Sequence, residues 1–288
     1  MEQLDISDWN GPFSTDVTDR AVTTLETGGI LYTPGLHFEL TASEQRFLSP
    51  TYLRGESKNI SYNWRTGALG GTACEDSERD ELTAMIRRFS EQSVALMRRL
   101  CPDYTEQMDP GLTSFRPAEI AGRVSSWRKD DTRLHIDAFP SRPNQGRRIL
   151  RFFANVNPSA ERIWRAGEPF ERAAAALLPR VKPPFPGSLA VLPMLKITKG
   201  RRTLYDHYML GLHDAMKEDS RYQTEVSQTE IAFPPGATWA CFTDAVSHAA
   251  MSGQHAFEQT FYLPVSAMRN PELSPLRVLE RQLGKSLV

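Results

Sequence analysis

The sequence predicts a mainly β protein with flanking helices, built on a double-stranded β-helix core of the jelly-roll, cupin-like type. Short β-favouring runs separated by proline, glycine and asparagine recur after Pro110, as they do in sandwiches and barrels. Helical patterns lie mainly before these runs and return at the end of the chain. Other β-sandwiches share this pattern, so the pattern is compatible with the double-stranded β-helix without singling it out.

The chain has 288 residues and contains no internal repeat, low-complexity tract or long linker. A single elaborated domain is therefore expected. We divide it into a mostly helical N-terminal elaboration (1–110), a β-helix core (111–265) with a helical insertion near 205–218, and a C-terminal helix (271–285).

The first part of the chain predicts two short extended pieces, a capped turn and one long helix. The extended pieces are GGILYTP and LHFEL, and the turn is TASEQRFLSP. The helix is expected over 76–100, where DSERDELTAMIRRFSEQSVALMRRL places apolar residues at helical spacing with Ser93 as the one polar gap.

The second part alternates strands with one helix. Strands are expected at GRVSSW, TRLHIDAF, RRILRFFANVNP and ERIWRAG, and after the helix YDHYMLGLHDAMKE at TEIAF, PPGATWACF, AVSHAAM and AFEQTFYLP. The tail PELSPLRVLERQLGK predicts an amphipathic helix, and its Leu276, Leu279 and Leu283 suggest a surface that could attach to a membrane.

Composition limits the classes of partner and the compartment. A formal net charge of -1 gives no reason to expect a nucleic-acid partner. The three cysteines, Cys74, Cys101 and Cys241, lie far apart, which fits a reducing cytoplasmic location. The sequence starts without a basic and apolar leader, so no signal peptide is expected. It contains no apolar run of ~18 residues, so no transmembrane helix is expected either. Peripheral contact with a membrane is compatible with both observations.

The candidate metal ligands are His135, Asp137 and His248. His135 and Asp137 are two residues apart in a strand-like run and should project from the same face. With His248 from a later strand they would form a facial triad of two histidines and one carboxylate, which leaves open positions on a non-haem iron. The alternative is that His135 is a hydrogen-bonded core histidine and His248 a surface one, and spacing alone does not decide between these interpretations.

Such an iron needs an oxidisable cosubstrate, and 2-oxoglutarate needs a cation for its distal carboxylate. On RRILRFFANVNP the residues Ile149, Arg151, Phe153, Asn155 and Asn157 share a mixed face, so Arg151 is the first candidate with Asn155 as its helper. Arg148 at the start of this strand is the second candidate. Candidate substrate-binding residues are Arg142, Arg147 and Arg165, and the loop cations Lys196, Lys199, Arg201 and Arg202 are further possible anion contacts, although each could equally be an ordinary surface cation.

Longer strings point to a family. The segments HIDAFPSRPNQGRRILRFFANVNP, RIWRAGEPF and DAVSHAAMSGQHAFEQTFYLP resemble the bacterial Kdo hydroxylases, enzymes of lipopolysaccharide inner-core assembly. KNISYNWRTGALGGT and YDHYMLGLHDAMKED are also similar to that family, so the resemblance extends over most of the chain.

The resemblance implies an activity and a site. It implies Fe(II)-, 2-oxoglutarate- and O2-dependent hydroxylation of 3-deoxy-D-manno-oct-2-ulosonic acid (Kdo) at its deoxy carbon, giving Ko on a lipid A precursor, at the cytoplasmic face of the inner membrane. The iron ligands that it implies are His135, Asp137 and His248. One departure concerns the cosubstrate: many members of the wider superfamily have an arginine about ten residues after the distal histidine, whereas this chain has Phe257, Glu258 and Gln259 there.

Three alternatives stay open at this point. One is an oxygenase of the same type with another substrate, and the second is a sugar-binding β-sandwich without turnover. The third is a metal-dependent isomerase of cupin type, which would need no oxygen.

Overall fold

The computed structural model describes residues 1–185, 187, 189, 198 and 200–288. In this described part eleven strands form two sheets. The strands are β1 Glu2–Gln3, β2 Ile30–Thr33, β3 Ile60–Asn63, β4 Ala68–Gly70, β5 Asp109–Arg116, β6 Arg148–Asn155, β7 Arg162–Pro169, β8 Thr229–Phe233, β9 Thr238–Phe242, β10 Val246–Ser252 and β11 Ala256–Leu263.

The two sheets give the mainly β, jelly-roll-like core that the sequence predicts. The large sheet has the order β1-β2-β9-β6-β11-β5-β3-β4, and the small sheet has the order β10-β7-β8. All described pairs are antiparallel except β1 with β2. Strand β6 lies inside the large sheet between β9 and β11, and all eight of its residues are buried, as expected of a strand covered on both faces.

Six α-helices are found among the described residues. They are α1 Thr15–Glu26, α2 Asp76–Leu100, α3 Phe170–Leu177, α4 Leu204–Glu218, α5 Ser220–Glu225 and α6 Pro275–Leu283. The predicted long helix is confirmed as α2, and its apolar stripe is buried. Ser93, the one polar residue of this stripe, is satisfied within the helix, because its hydroxyl donates to the Phe89 carbonyl at 2.7 Å.

The two other predicted helices are confirmed as α4 and α6. Thr203 begins α4 with a reciprocal capping box to Asp206. On α6, Leu276 and Leu279 are buried in the main core and Leu283 packs against it. The apolar face of this helix is therefore used inside the fold, so these leucines are not free for the expected membrane attachment. None of the helices in the described ranges combines the length and apolarity that crossing a bilayer requires.

Some expected strands do not form. LHFEL and GRVSSW are irregular, with a 3-10 turn at Trp127–Lys129, and TRLHIDAF makes a single bridge through His135. β propensity expresses how well a residue fits a paired and half-buried surface, so a favourable run without a neighbouring strand remains a loop. Conversely, four strands of the large sheet, β1 to β4, come from the first 110 residues, which makes this region part of the sheet.

An aromatic cluster joins α2 to the large sheet. The Phe257 ring is fully buried and stacks between Phe89 and Phe115, with both centroid separations at 4.7 Å. Phe38 meets the same ring edge-on at 5.3 Å. Because Phe257 alternates with Glu258 along β11, this packing fixes which residues of β11 face the opposite side of the sheet.

Replacing Phe257 by alanine should lower the free energy of unfolding by about 3–5 kcal/mol, because it removes a fully buried ring and leaves a cavity. Urea unfolding followed by circular dichroism measures the change. Val124→Ala is the control, since Val124 is 99% exposed and its truncation should change stability by less than about 0.5 kcal/mol. Equal effects of the two substitutions would contradict the assignment of Phe257 to the core.

Candidate metal centre and active-site cavity

The backbone brings His135 and His248 side by side. His135 donates its N–H to the His248 carbonyl at 3.0 Å, and His248 donates its N–H to the His135 carbonyl at 2.8 Å. Two residues later, the Asp137 N–H donates to Thr243 O at 2.8 Å, just beyond the end of β9. The segment 135–137 is thus anchored at the edge of the small sheet and at the end of β9, with residues 135 and 137 on one side of the chain.

One potential ligand atom from each of His135, Asp137 and His248 lies within 4.8 Å of the others, and all three residues are buried. The two imidazole centroids are 4.6 Å apart. This is the convergence that the spacing in the sequence suggested, and the interpretation of His248 as a surface residue is not compatible with it. His213 contacts the His135 ring edge-on at 5.5 Å but is not part of the ligand group found in the described residues.

Backbone carbonyls set the tautomer of both histidines. His135 Nδ1 lies 2.8 Å from Arg133 O, and His248 Nδ1 lies 2.8 Å from Val246 O. A carbonyl can only accept, so each Nδ1 carries the proton and each Nε2 keeps a lone pair. Burial lowers the pKa of both rings, and for His135 the neighbouring His248 lowers it further. Both imidazoles are therefore neutral near pH 7 and able to ligate a metal.

The Asp137 carboxylate supplies the negative ligand. Burial by itself would raise the pKa of Asp137, but the Arg151 guanidinium and the adjacent His248 hold it below the ordinary value. Arg151 Nε lies 3.0 Å from Asp137 Oδ2 without the alignment of a hydrogen bond, so both atoms are buried with no hydrogen-bond partner. A buried carboxylate oxygen that accepts no hydrogen bond and lies next to two imidazole lone pairs fits a divalent metal ion.

Aromatic rings hold the centre from one side. Trp164 stacks on His248 with centroids 5.1 Å apart and an interplanar angle of 21°. Phe153 meets Trp164 edge-on at 4.9 Å. Both rings line the cavity of about 150 Å³ that contains the three ligands, so they restrict the rotation of His248 and keep this wall apolar.

Charged residues of the large sheet line the same cavity, and Glu258 organises them. Its Oε1 accepts from Arg151 Nη1 at 2.7 Å, and its Oε2 accepts from Arg116 Nη2 at 3.0 Å. Glu258 occupies the region after the distal histidine where the wider superfamily often has an arginine. Here the charge is reversed, and arginines from the two neighbouring strands, β5 and β6, converge on it.

Arg162 on β7 also lines the cavity and was missed by the sequence reasoning. It is 4% exposed, forms no ion pair with any residue of the described ranges, and leaves its Nε without a hydrogen-bond partner. Its Nη1 donates to Gly253 O at 3.2 Å. Gly253 has a φ of 107°, and a Cβ there would lie 2.9 Å from the Arg162 Cα, so only glycine permits this close approach.

Burial and the nearby Arg116 together lower the pKa of Arg162 to about 10, against the opposing effect of Glu258, Asp131 and Glu119. A buried guanidinium without a counter-ion is costly unless an anion completes its environment. The signal that could have found it is the alternation in ERIWRAG, which places Arg162 and Trp164 on the same face of the strand.

Of the two arginines predicted to bind the cosubstrate, Arg151 lines the metal-site cavity and Arg148 does not. Arg151 faces the cavity as expected from the mixed face of β6, but it is already paired with Glu258 and lies against Asp137. Arg148 points to the other side of β6, where it is 1% exposed and ion-paired with Asp244 at 2.8 Å. The reason is strand parity, since residues 148 and 151 are an odd number of positions apart.

Asn155 lies outside the cavity. Its Nδ2 donates to Ala160 O at 3.0 Å and to Phe233 O at 3.0 Å, and its Oδ1 accepts from the Asn157 N–H at 3.1 Å. These bonds connect the end of β6 to the loop before β7 and to the end of β8. The side chain therefore stabilises the loop, and the predicted role as helper of Arg151 in binding the cosubstrate does not fit this position.

The candidate substrate residues separate into two groups. Arg142 and Arg147 line a groove of about 250 Å³, where Arg147 lies over the Tyr262 ring at 4.8 Å. Arg165 alternates with Trp164 on β7, so it lies on the outer face of the small sheet, 3.9 Å from Glu230. Arg202 bonds Pro140 O, and Arg201 O accepts from Gln145, while Lys196 and Lys199 lie outside the described residues.

Comparison with known proteins agrees with this site. The family model described as 3-deoxy-D-manno-oct-2-ulosonic acid (Kdo) hydroxylase matches residues 8–286. Among curated proteins no sequence matches this chain.

Two solved structures are similar over almost the whole chain. The Kdo hydroxylase KdoO, a non-haem Fe(II) α-ketoglutarate dependent dioxygenase, in complex with cobalt(II) is 47% identical, with 99% of this chain and 96% of that chain covered and a TM-score of 0.97. The same enzyme with α-ketoglutarate and Fe(III) is 46% identical with the same coverage and a TM-score of 0.96. By family model, sequence identity and fold, this chain belongs to the Kdo hydroxylase family.

Proposed function

We propose that this protein is an Fe(II)-, 2-oxoglutarate- and O2-dependent hydroxylase that acts on Kdo in the lipopolysaccharide inner core. The reaction adds oxygen at the deoxy carbon, position 3, and gives Ko on Kdo-lipid A. The observation that carries the proposal is the buried group of His135, Asp137 and His248, with three potential ligand atoms within 4.8 Å of one another. Membership of the Kdo hydroxylase family supports the choice of substrate.

The three residues would hold Fe(II) through His135 Nε2, His248 Nε2 and a carboxylate oxygen of Asp137, because both Nδ1 atoms are engaged by backbone carbonyls. With iron, 2-oxoglutarate and O2 bound, the site would convert a C–H bond to C–OH while 2-oxoglutarate becomes succinate and CO2. The chain itself fixes the ligand orientation: Trp164 stacks on His248, and Arg151 lies beside Asp137.

Arg162 is proposed as the cation for the distal carboxylate of 2-oxoglutarate. It is buried, lines the same cavity as the three ligands and makes no ion pair with a carboxylate in the described ranges, although the nearby Glu258, Asp131 and Glu119 favour its charged form. Arg151 and Arg116, by contrast, share Glu258 as their counter-ion. A planar guanidinium also matches the two oxygens of a carboxylate. Arg151 is instead assigned to holding Asp137 in place.

The Kdo-bearing end of the substrate would enter along the groove of Arg142 and Arg147. A carboxylated sugar needs cations, and these two residues provide them next to Tyr262. Arg165 lies on the outer face of the small sheet and is not included in this site. The substrate is a lipid, so the enzyme would meet it at the cytoplasmic face of the inner membrane. The three buried free cysteines are compatible with a reducing compartment.

Metal binding tests the ligand set directly. Titration of the protein with Co(II), followed by its visible absorption, should show one site. His248→Ala should weaken binding by about a hundredfold or more, since even outer-shell changes cost 10–100-fold. His207→Ala is the control, because His207 bonds Lys182 O and is not part of the ligand group. Unchanged Co(II) affinity in His248→Ala would exclude this centre.

Activity tests the reaction. Incubation of the protein with Fe(II), 2-oxoglutarate, air and Kdo-lipid A should add one oxygen to the lipid and release an equal amount of succinate, as mass spectrometry can measure. His135→Ala should abolish both products because the metal loses a ligand. Lipid bound without turnover would instead indicate a binding module, product formed without O2 an isomerase, and succinate formed only with another acceptor a different substrate.

The cosubstrate cation is tested by two matched substitutions on β7. Arg162→Lys should raise the KM for 2-oxoglutarate by about tenfold or more, because lysine cannot reproduce the bidentate contact. Arg165→Lys, on the outer face of the small sheet, should leave this KM within about twofold. A KM that stays normal in Arg162→Lys and rises in Arg151→Lys would transfer the role to Arg151.

A further inference from the structure

The face of the large sheet that carries the metal-site residues continues to the rim of the fold. On β11, Glu258, Thr260 and Tyr262 share this face, and Tyr262 is opposite Ile149 of β6 and Asp109 of β5. Two residues of strand advance about 6.7 Å, so Tyr262 lies within about 14 Å of Glu258 along the strand. The groove around Tyr262 is therefore a continuation of the metal-site wall.

That groove is cationic. Arg65, Arg142 and Arg147 line it, with Asp109 as an acidic member. Asp109 is shared by Arg65 at 2.5 Å and Arg147 at 3.5 Å, so one carboxylate balances two of the three guanidiniums. We call this the cationic groove.

A second groove lies on the other side of Trp64 and Pro110, which line both grooves. It has a volume of about 340 Å³ and is formed where α2 crosses β3, with Tyr62, Val94 and Ala95 among its apolar residues. Arg87 and Arg98 of α2 also line it, together with Glu91. We call this the apolar groove.

Trp64 forms the ridge between the two grooves and is held in a fixed position. Its Nε1 donates to Pro110 O at 2.7 Å, and the Arg65 guanidinium lies over its ring at 4.3 Å. The ring nevertheless remains 43% exposed. A large aromatic side chain with its polar atom satisfied and its face open offers a surface for an apolar group.

We propose that the apolar groove binds an acyl chain of the substrate while the cationic groove binds its anionic sugar, so that the enzyme recognises a whole glycolipid by both of its parts. This inference rests on the proposed function, because it needs a Kdo-bearing lipid as substrate. Charge and continuity support this occupant. The apolar lining is flanked by Arg98 and by Arg87, which lies 4.0 Å from Glu91, and its wall at Trp64 and Pro110 is shared with the cationic groove. An anionic amphiphile matches both features.

The test compares kcat/KM for two substrates in the same detergent: Kdo-lipid A and the same glycan after chemical removal of its acyl chains. Trp64→Ala should lower kcat/KM for the acylated substrate by about tenfold or more, as expected for the loss of one large apolar contact, and should lower the value for the deacylated glycan by a clearly smaller factor, because Trp64 also lines the cationic groove. Ala95→Trp, which would fill the apolar groove without altering Trp64, should produce the same selective loss.

Trp127→Ala is the matched control, because Arg128 lies over Trp127 at 4.0 Å in a comparable pair away from both grooves. It should affect neither substrate. An equal loss with both substrates in Trp64→Ala, or no loss in either variant, would overturn the acyl-chain assignment. If the wild-type protein oxidises neither substrate, the proposed function itself fails, which is a different result.

Discussion

The site depends on a short piece of backbone pairing. The two reciprocal hydrogen bonds between residues 135 and 248 join segments that are far apart in the chain and place two imidazoles and one carboxylate around a common point. The same backbone then orients the rings, since the carbonyls of Arg133 and Val246 accept from the two Nδ1 atoms. The ligand geometry therefore rests mainly on main-chain contacts, which leave the imidazoles little rotational freedom.

The three arginines that line the cavity differ in their ion pairs. Glu258 neutralises Arg116 and Arg151, and Arg151 in turn lies beside Asp137. Each of these charges has a counter-ion, which reduces the cost of burial. Arg162 makes no ion pair with any described residue, although Asp131 and Glu258 line the same cavity, and its Nη1 donates to the Gly253 carbonyl. Because no described carboxylate makes an ion pair with Arg162, this guanidinium can accept an anion of a size that reaches both it and the metal ligands.

Positive charge is also concentrated locally on the surface of the protein. Its overall charge is close to neutral, so anion recognition has to be local. Arg65, Arg142 and Arg147 concentrate positive charge at the rim of the metal-site wall, and Trp64 separates this region from an apolar groove beside α2. The C-terminal helix, which looked suited to a membrane from its leucines, uses them for internal packing.

Local patterns of the sequence predicted the strands β6 to β11, the long helix, the face of β6 that carries Arg151, and the common face of the candidate ligands His135 and Asp137. These features depend on neighbours two to four residues away, which periodicity records. The tertiary structure alone decided that TRLHIDAF pairs through a single bridge, that Glu258 pairs with two arginines, and that Arg162 makes no ion pair with any described residue. Such outcomes depend on which strands become adjacent and on the burial that follows, and neither is encoded in the spacing of residues along one segment.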